Sequence, residues 1–180
     1  MAVDRQADGK RPPSVPDDEV LLHRVPPTRP DFVTIKVSGG CERVSSVTCC
    51  PRRKEDGTYE YGLSVSRLSV TAPSEVLAAL KRAERPKDPS GWRVSAWTAA
   101  AIRAVGSDLP PGRQELPLEI LVDPTEVDPG HCQIVGADGL PCPRQEAVVK
   151  RLARVAVLLP AELVERNDRD EVAAFVRSAY

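Results

Sequence analysis

Hydrophobic positions alternate with polar ones through the first two-thirds of the chain. In the last third they recur at helical spacing, and this change of period predicts the architecture. Glu19 to Val25 (EVLLHRV) is a short β-type run stopped by Pro26-Pro27. Phe32 to Val37 (FVTIKV) is rich in β-branched residues and predicts a second strand, broken by Gly39-Gly40. Cys41 to Cys50 (CERVSSVTCC) alternates loosely as a further β-type segment. Asp56-Gly57 then signals a hairpin, since both residues tolerate positive φ. Gly62 to Val70 (GLSVSRLSV) sets Leu63, Val65 and Arg67 on one side and Ser64, Ser66 and Leu68 on the other.

A first helix follows, capped by Thr71 or Ser74, with Pro73 and Glu75 in its first turn and Val76, Leu77 and Leu80 as its apolar stripe. Arg85-Pro86 ends it. Gly91 to Trp97 alternates as a strand, Thr98 caps a short helix to Val105, and Gly106 closes that helix. Leu116 to Val122 (LPLEILV) is a strand whose Pro117 favours a sheet edge, and Gly130 to Gly136 (GHCQIVG) is the last strand. From Arg144 to Leu159 the apolar residues Val148, Leu152, Val155 and Leu159 mark one helical face. Asn167 or Asp168 caps a final helix carrying Val172, Phe175 and Val176. Strands first and helices late predict an α+β fold: a mixed, mainly antiparallel sheet with helices packed on it and a helical C-terminus. Residues 1–18, polar and without period, read as a disordered tail, and 19–180 as a single domain.

Composition narrows the function classes. With 25 Lys plus Arg against 26 Asp plus Glu in 180 residues, the net charge of −1 excludes a cationic surface spread over the whole molecule. Two Phe, two Trp and three Tyr leave little material for base-stacking platforms. The N-terminus lacks the apolar stretch of a secretory signal, so a cytoplasmic location without membrane contact is expected. Five cysteines, an odd number, cannot complete an internal disulfide framework, and free thiols are expected.

The candidate chemistry is sparse. His23 and His131 are potential acid/base groups, and each has the plainer reading of an ordinary surface or interior histidine. His131 and Cys132 are strand neighbours facing opposite sides, which excludes a local dyad. Structural zinc wants Cys-x2–4-Cys pairs, which the spacings of Cys41, Cys49, Cys50, Cys132 and Cys142 do not supply, so no metal and no cofactor are expected. The adjacent Cys49-Cys50 pair raises a redox role. The carboxylates Asp108, Glu115, Glu119, Asp123, Glu126 and Asp128 read as a solvated acidic edge. Two basic groups, Lys81, Arg82, Arg85, Lys87 and Arg93, and Arg52, Arg53 and Lys54, are phosphate-capable if their members share a face. No phosphate loop, nucleophile elbow or metalloprotease helix is present.

Three blocks occur in order: Leu22-His23-Arg24-Val25-Pro26; Ser45-Ser46 with Pro51-Arg52 and Gly62-Leu63-Ser64-Val65; and His131-x-x-Ile134. Together they resemble a family of small uncharacterised bacterial proteins, although that family carries an aromatic after the Ser-Ser block where this chain has Cys49 or Cys50. The resemblance implies no activity. It does direct attention to Arg24, Ser45, Ser46, Ser64 and His131 as polar strand residues that would make an anion- or nucleotide-sized pocket if the strands brought them together. The preferred expectation is a binding or protein-interaction module for a protein partner or small ligand. The alternative is an enzyme acting on a nucleotide or nucleic acid, with His131 as acid/base, Arg24 steadying negative charge and Ser46 beside them. Plain nucleic-acid binding is less favoured.

Overall fold

The computed structural model describes residues 14–27, 34–36, 42–83, 86–107 and 116–180. Six strands build one sheet: β1 (Val20–Val25), β4 (Leu63–Arg67), β5 (Arg93–Thr98), β6 (Leu118–Val122), β7 (His131–Gly136) and β8 (Val157–Leu158). Their order is β6-β7-β4-β1-β5-β8, and every pairing in it is antiparallel. A separate two-stranded ribbon joins β2 (Thr34–Lys36) to β3 (Glu42–Val44). Five helices complete the α+β fold: α1 (Pro73–Arg82), α2 (Ala99–Ser107), α3 (Glu146–Val155), α4 (Ala161–Arg166) and α5 (Arg169–Arg177).

Strand alternation sends successive side chains to opposite faces of the sheet. Leu21, Val25, Leu63, Val65, Trp97, Leu118, Ile120, Cys132 and Ile134 face one way and pack against Ile102 and Val105 of α2 and Val148 and Leu152 of α3. We call this the tryptophan face. Val20, Leu22, Val94 and Ala96 face the other way and meet Val76 of α1, Leu163 of α4 and Val172 and Val176 of α5. We call that the arginine face, after Arg24. Each fully buried branched side chain contributes about 2 kcal/mol, so two apolar layers rather than any polar contact hold the domain together.

Four expectations are corrected. The C-terminal helix stops at Val155: Ala156 is extended, Val157–Leu158 pair with β5, and Leu159 sinks into the opposite layer. The β-branched Val157 suits the free edge of β5, and the chain uses that edge to cross from one layer to the other. The Cys41–Cys50 segment is not one β run. After β3 it winds into a 3-10 turn over Ser46–Cys49, begun by Ser45, whose Oγ accepts the Val47 N–H (3.4 Å). Helix α1 starts after Ala72 and not at Thr71 or Ser74. The Glu75 carboxylate accepts the Ala72 N–H (2.7 Å), while the Thr71 hydroxyl is engaged elsewhere. Order begins before residue 19: Val15 is 2% exposed and its carbonyl accepts from Arg103 Nη2 (2.6 Å). Residues 1–13 of the expected tail, and Phe32, Val37 and Gly39-Gly40, lie outside the described residues. No described helix is long and apolar enough to cross a membrane.

Candidate functional site

On β4 and β7 the two faces differ in kind. The tryptophan face carries buried Leu63, Val65, Cys132 and Ile134, whereas the arginine face carries half-buried Ser64, Gln133 and His131 together with buried Ser66 and Val135. An antiparallel strand pair patterned this way packs one face on a core and leaves only the Ser64–Gln133 stretch of the other in reach of solvent. The apolar side chains of α1, α4 and α5 gather on β1 and β5 and do not extend over β7. Register sets the polar residues in order: Ser64 opposes Gln133, Ser66 opposes His131, and Leu22 opposes Ser66. Arg24, two residues beyond Leu22, therefore falls on the same face beside Ser64. The result is a polar strip, Gln133–Ser64–Arg24, across the middle of the sheet. Gly62 lets the chain approach β7 closely here, because a Cβ at that position would lie 2.8 Å from Gln133 Cβ and 2.9 Å from the Ile134 carbonyl oxygen.

The electrostatics of the strip centre on Arg24. Burial holds its guanidinium below the ordinary arginine range, opposed by the carboxylates of Asp128 and then Glu60. Among the described residues it forms no salt bridge. Asp128 is already occupied: it is 4% exposed and accepts from Ser66 Oγ (2.5 Å), Thr71 Oγ1 (2.8 Å) and the Gly130 N–H (3.1 Å). This buried hub corrects the expectation that Asp128 belongs to a solvated acidic edge. The β6–β7 loop folds onto itself, with Asp128 N–H donating to Thr125 Oγ1 (3.0 Å) and His131 N–H donating to the Asp128 carbonyl (3.1 Å). Of the other acidic candidates, Glu126 is exposed and Glu119 and Asp123 are half-buried, while Asp108 and Glu115 lie outside the described residues.

Two further cations act on the same region. Lys87, on the loop after α1, is lowered by burial and then by the charges of Arg52 and Arg24, with Glu60 opposing. Its N–H donates to the Leu80 carbonyl (2.9 Å), and its ammonium lies 5.6 Å from the Trp92 ring centre. Arg52 stands at the base of the predicted hairpin, where its carbonyl accepts the Glu60 N–H (2.8 Å). The hairpin turns at Gly57 with φ +83°, as the Asp-Gly signal requires.

The candidates from sequence divide between the faces. Arg24, Ser64 and His131 share the arginine face. Ser45 and Ser46 begin the 3-10 turn, whose Cys49 is buried in the tryptophan-face core beneath α3. The sheet thus lies between the Ser-Ser pair and Arg24, and the expected five-residue pocket does not form. The reason is parity: once Cys49 is drawn into that core, its turn is committed to that side. His131 Nδ1–H donates to the Asp123 carbonyl (2.7 Å), and no described hydroxyl or thiol bonds to its ring. His23 is structural: Nδ1 lies 2.9 Å from the Ser64 carbonyl oxygen and Nε2 3.0 Å from that of Thr48. Burial lowers its pKa, and its ring ties the 3-10 turn to the sheet on the tryptophan face. Gln133 and Glu60 were missed from sequence, and Asp128 was read only as part of a solvated acidic edge. Gln133 was within reach, because it stands two residues from His131 and so shares its face.

The remaining ideas lose support in this geometry. Burial pushes the thiols of Cys49 and Cys142 up to about 12 and that of Cys132 up to about 11, and Cys50 is raised as well despite Arg144. Such thiols carry almost no thiolate near neutrality, which argues against redox chemistry at Cys49-Cys50. Among the described residues no group of three His, Cys, Asp or Glu side chains is placed to hold a metal ion. The basic residues do not share one face either: Arg93 pairs with Glu42 on the tryptophan side, Arg82 Nη2 donates to the Val127 carbonyl (3.1 Å), and Arg85 lies outside the described residues. A concavity of about 550 Å³ lies between the hairpin and residues 141–144, with Arg144 stacked 3.9 Å over the Tyr59 ring. Compared with known proteins, the chain matches no family model, no curated protein and no solved structure.

Proposed function

We propose that the protein is a binding module that takes a small ligand on the polar strip formed by Arg24, Ser64 and Gln133. One observation carries this reading. From Leu63 to Val65 and from His131 to Ile134 the strands turn apolar side chains to the tryptophan face and Ser64, Gln133 and His131 to the other, so this stretch of the sheet offers a rigid, hydrogen-bonding surface beside the half-buried Arg24 guanidinium. Sites on strands hold their side chains more rigidly than loops do, which suits recognition. The enzyme reading is weaker. His131 and Arg24 share the face, but Ser46 lies across the sheet and the Ser66 hydroxyl is spent on Asp128, leaving no activated nucleophile beside the imidazole. Four described thiols without a disulfide support a reducing, cytoplasmic setting for this module.

The test is an amide NMR screen of the whole chain against a library of small polar fragments. Binding is expected to move the amide signals of Arg24, Ser64, Gln133 and His131 together. Shifts gathered instead around Tyr59 and Arg144, or none across the library, would remove the strip as the site.

A further inference from the structure

We infer that the concavity between the 52–60 hairpin and residues 141–144 binds an aromatic carboxylate, with its charge on Arg144 and Lys54 and its ring on Tyr61. The site stands apart from the polar strip, since none of Arg24, Ser64 and Gln133 lines it. Its volume of about 550 Å³ is that of a small-molecule site. Backbone hydrogen bonds hold its walls. On the hairpin side, Lys54 N–H donates to the Thr58 carbonyl (2.7 Å) and Glu60 N–H to the Arg52 carbonyl (2.8 Å). On the other side, Cys142 N–H donates to the Tyr61 carbonyl (2.8 Å). Cys142 is buried in the tryptophan-face core, so this last bond fastens the hairpin to the body of the domain.

The lining groups suit such a ligand. Arg144 lies over the Tyr59 ring, its guanidinium carbon 3.9 Å from the ring centre. A guanidinium laid on a ring keeps its N–H donors in its own plane, free to meet both oxygens of one carboxylate. Contact with the ring also holds the long side chain in place before binding, which lowers the entropy lost when a ligand arrives. Among the described residues neither Arg144 nor Lys54 forms a salt bridge. Glu60 is the one carboxylate in the lining, which leaves a surplus of one positive charge. Elsewhere in the hairpin Arg52 and Arg53 balance Glu55 and Asp56, and the Asp56 carboxylate accepts the Thr58 N–H (2.8 Å) and hydroxyl (2.6 Å). A single surplus charge matches a monocarboxylate better than a phosphate dianion. For the body of the ligand, Tyr61 is 45% exposed and lines the concavity with Pro141, an amphipathic ring that an aromatic group can meet offset or edge-on.

Benzoate, titrated into the full chain near neutral pH at constant ionic strength and followed by amide NMR, is the probe; benzamide lacks its charge and acetate lacks its ring. Benzoate is expected to bind in the millimolar range and to move the amides of Thr58, Tyr59, Tyr61 and Arg144, with benzamide and acetate each about tenfold weaker. R144Q is expected to weaken benzoate about tenfold and Y61A several-fold. R154Q removes an exposed cation outside the concavity and is expected to leave binding unchanged. Arg144 and Tyr61 are exposed, so both variants are expected to keep the parent fold. A short peptide ending in phenylalanine, compared with its C-terminal amide, separates the sources of the group. Binding tighter than benzoate and abolished by amidation supports a protein C-terminus, and no gain over benzoate supports a free acid. Benzoate and benzamide binding alike, affinity unchanged in R144Q and Y61A, or no movement of these amides overturns the inference. Neutral fragments that move Ser64 and Gln133 while benzoate leaves Tyr59 and Arg144 unmoved would remove this site and keep the strip; the reverse result would remove the strip and keep this site.

Discussion

Replacing Trp97 by alanine is expected to cost about 4 kcal/mol of folding stability, the largest effect of any single change considered. Trp97 is 0% exposed near the C-terminal end of β5, and it joins the sheet to α3 in two ways. Its ring fills the space between the strands and the helix, and its Nε1–H donates to the Leu152 carbonyl (2.9 Å). Leu152 lies in the last turn of α3, where carbonyls have no intrahelical donor, so the indole satisfies a group the helix leaves open. The two contributions separate experimentally. Trp97→Phe keeps most of the apolar contact and strands that carbonyl, and is expected to cost about 1–2 kcal/mol beyond the loss of ring area. Urea denaturation with an unchanged m-value would measure both. A Trp97→Ala loss below about 1 kcal/mol would mean that α3 is not packed on this face.

Asp128→Ala is expected to cost about 3 kcal/mol, because it leaves the Ser66 and Thr71 hydroxyls and the Gly130 N–H buried without their acceptor. The hub joins the β6–β7 loop to the end of β4 and the entry to α1, 62 and 57 residues earlier in the chain. It therefore also sets the register in which Ser66 opposes His131. Glu126→Ala, two residues away on the same loop and exposed, is expected to stay within about 0.5 kcal/mol. Equal effects at the two positions, measured by thermal or urea unfolding, would show that Asp128 is not the hub described.

The sequence discloses the elements where a single pattern decides them. Leu63–Ser66 and His131–Ile134 alternate between apolar and polar positions, and Val148, Leu152 and Val155 mark α3 at helical spacing. It is silent where long-range packing decides. Leu159 continues the helical period by coincidence, while the two-residue strand that removes it from the helix is too short to leave a pattern. On β1 and β5 both faces are buried, so Leu21, Leu22, Ala96 and Trp97 do not announce which layer each one joins. Within β4 and β7, parity separates Ser64 from Leu63 and Val65 and His131 from Cys132. Whether Ser45-Ser46 joined them depended on which core drew in Cys49, and that is a property of the assembled sheet. Asp128 gave no local signal, because its partners lie 57 and 62 residues away.

The account depends on β4 turning one side to the core and the other to water at the middle of the strip. Ser64→Cys tests this almost isosterically in the full chain, with thiol alkylation under native conditions read peptide by peptide by mass spectrometry. The thiol introduced at position 64 is expected to react within minutes, aided by the neighbouring guanidinium, while Cys132 on the adjacent strand, facing the other way, stays unmodified as long as the protein is folded. Protection at position 64 equal to that of Cys132 would mean that this side is covered, and the binding surface proposed for it would not exist.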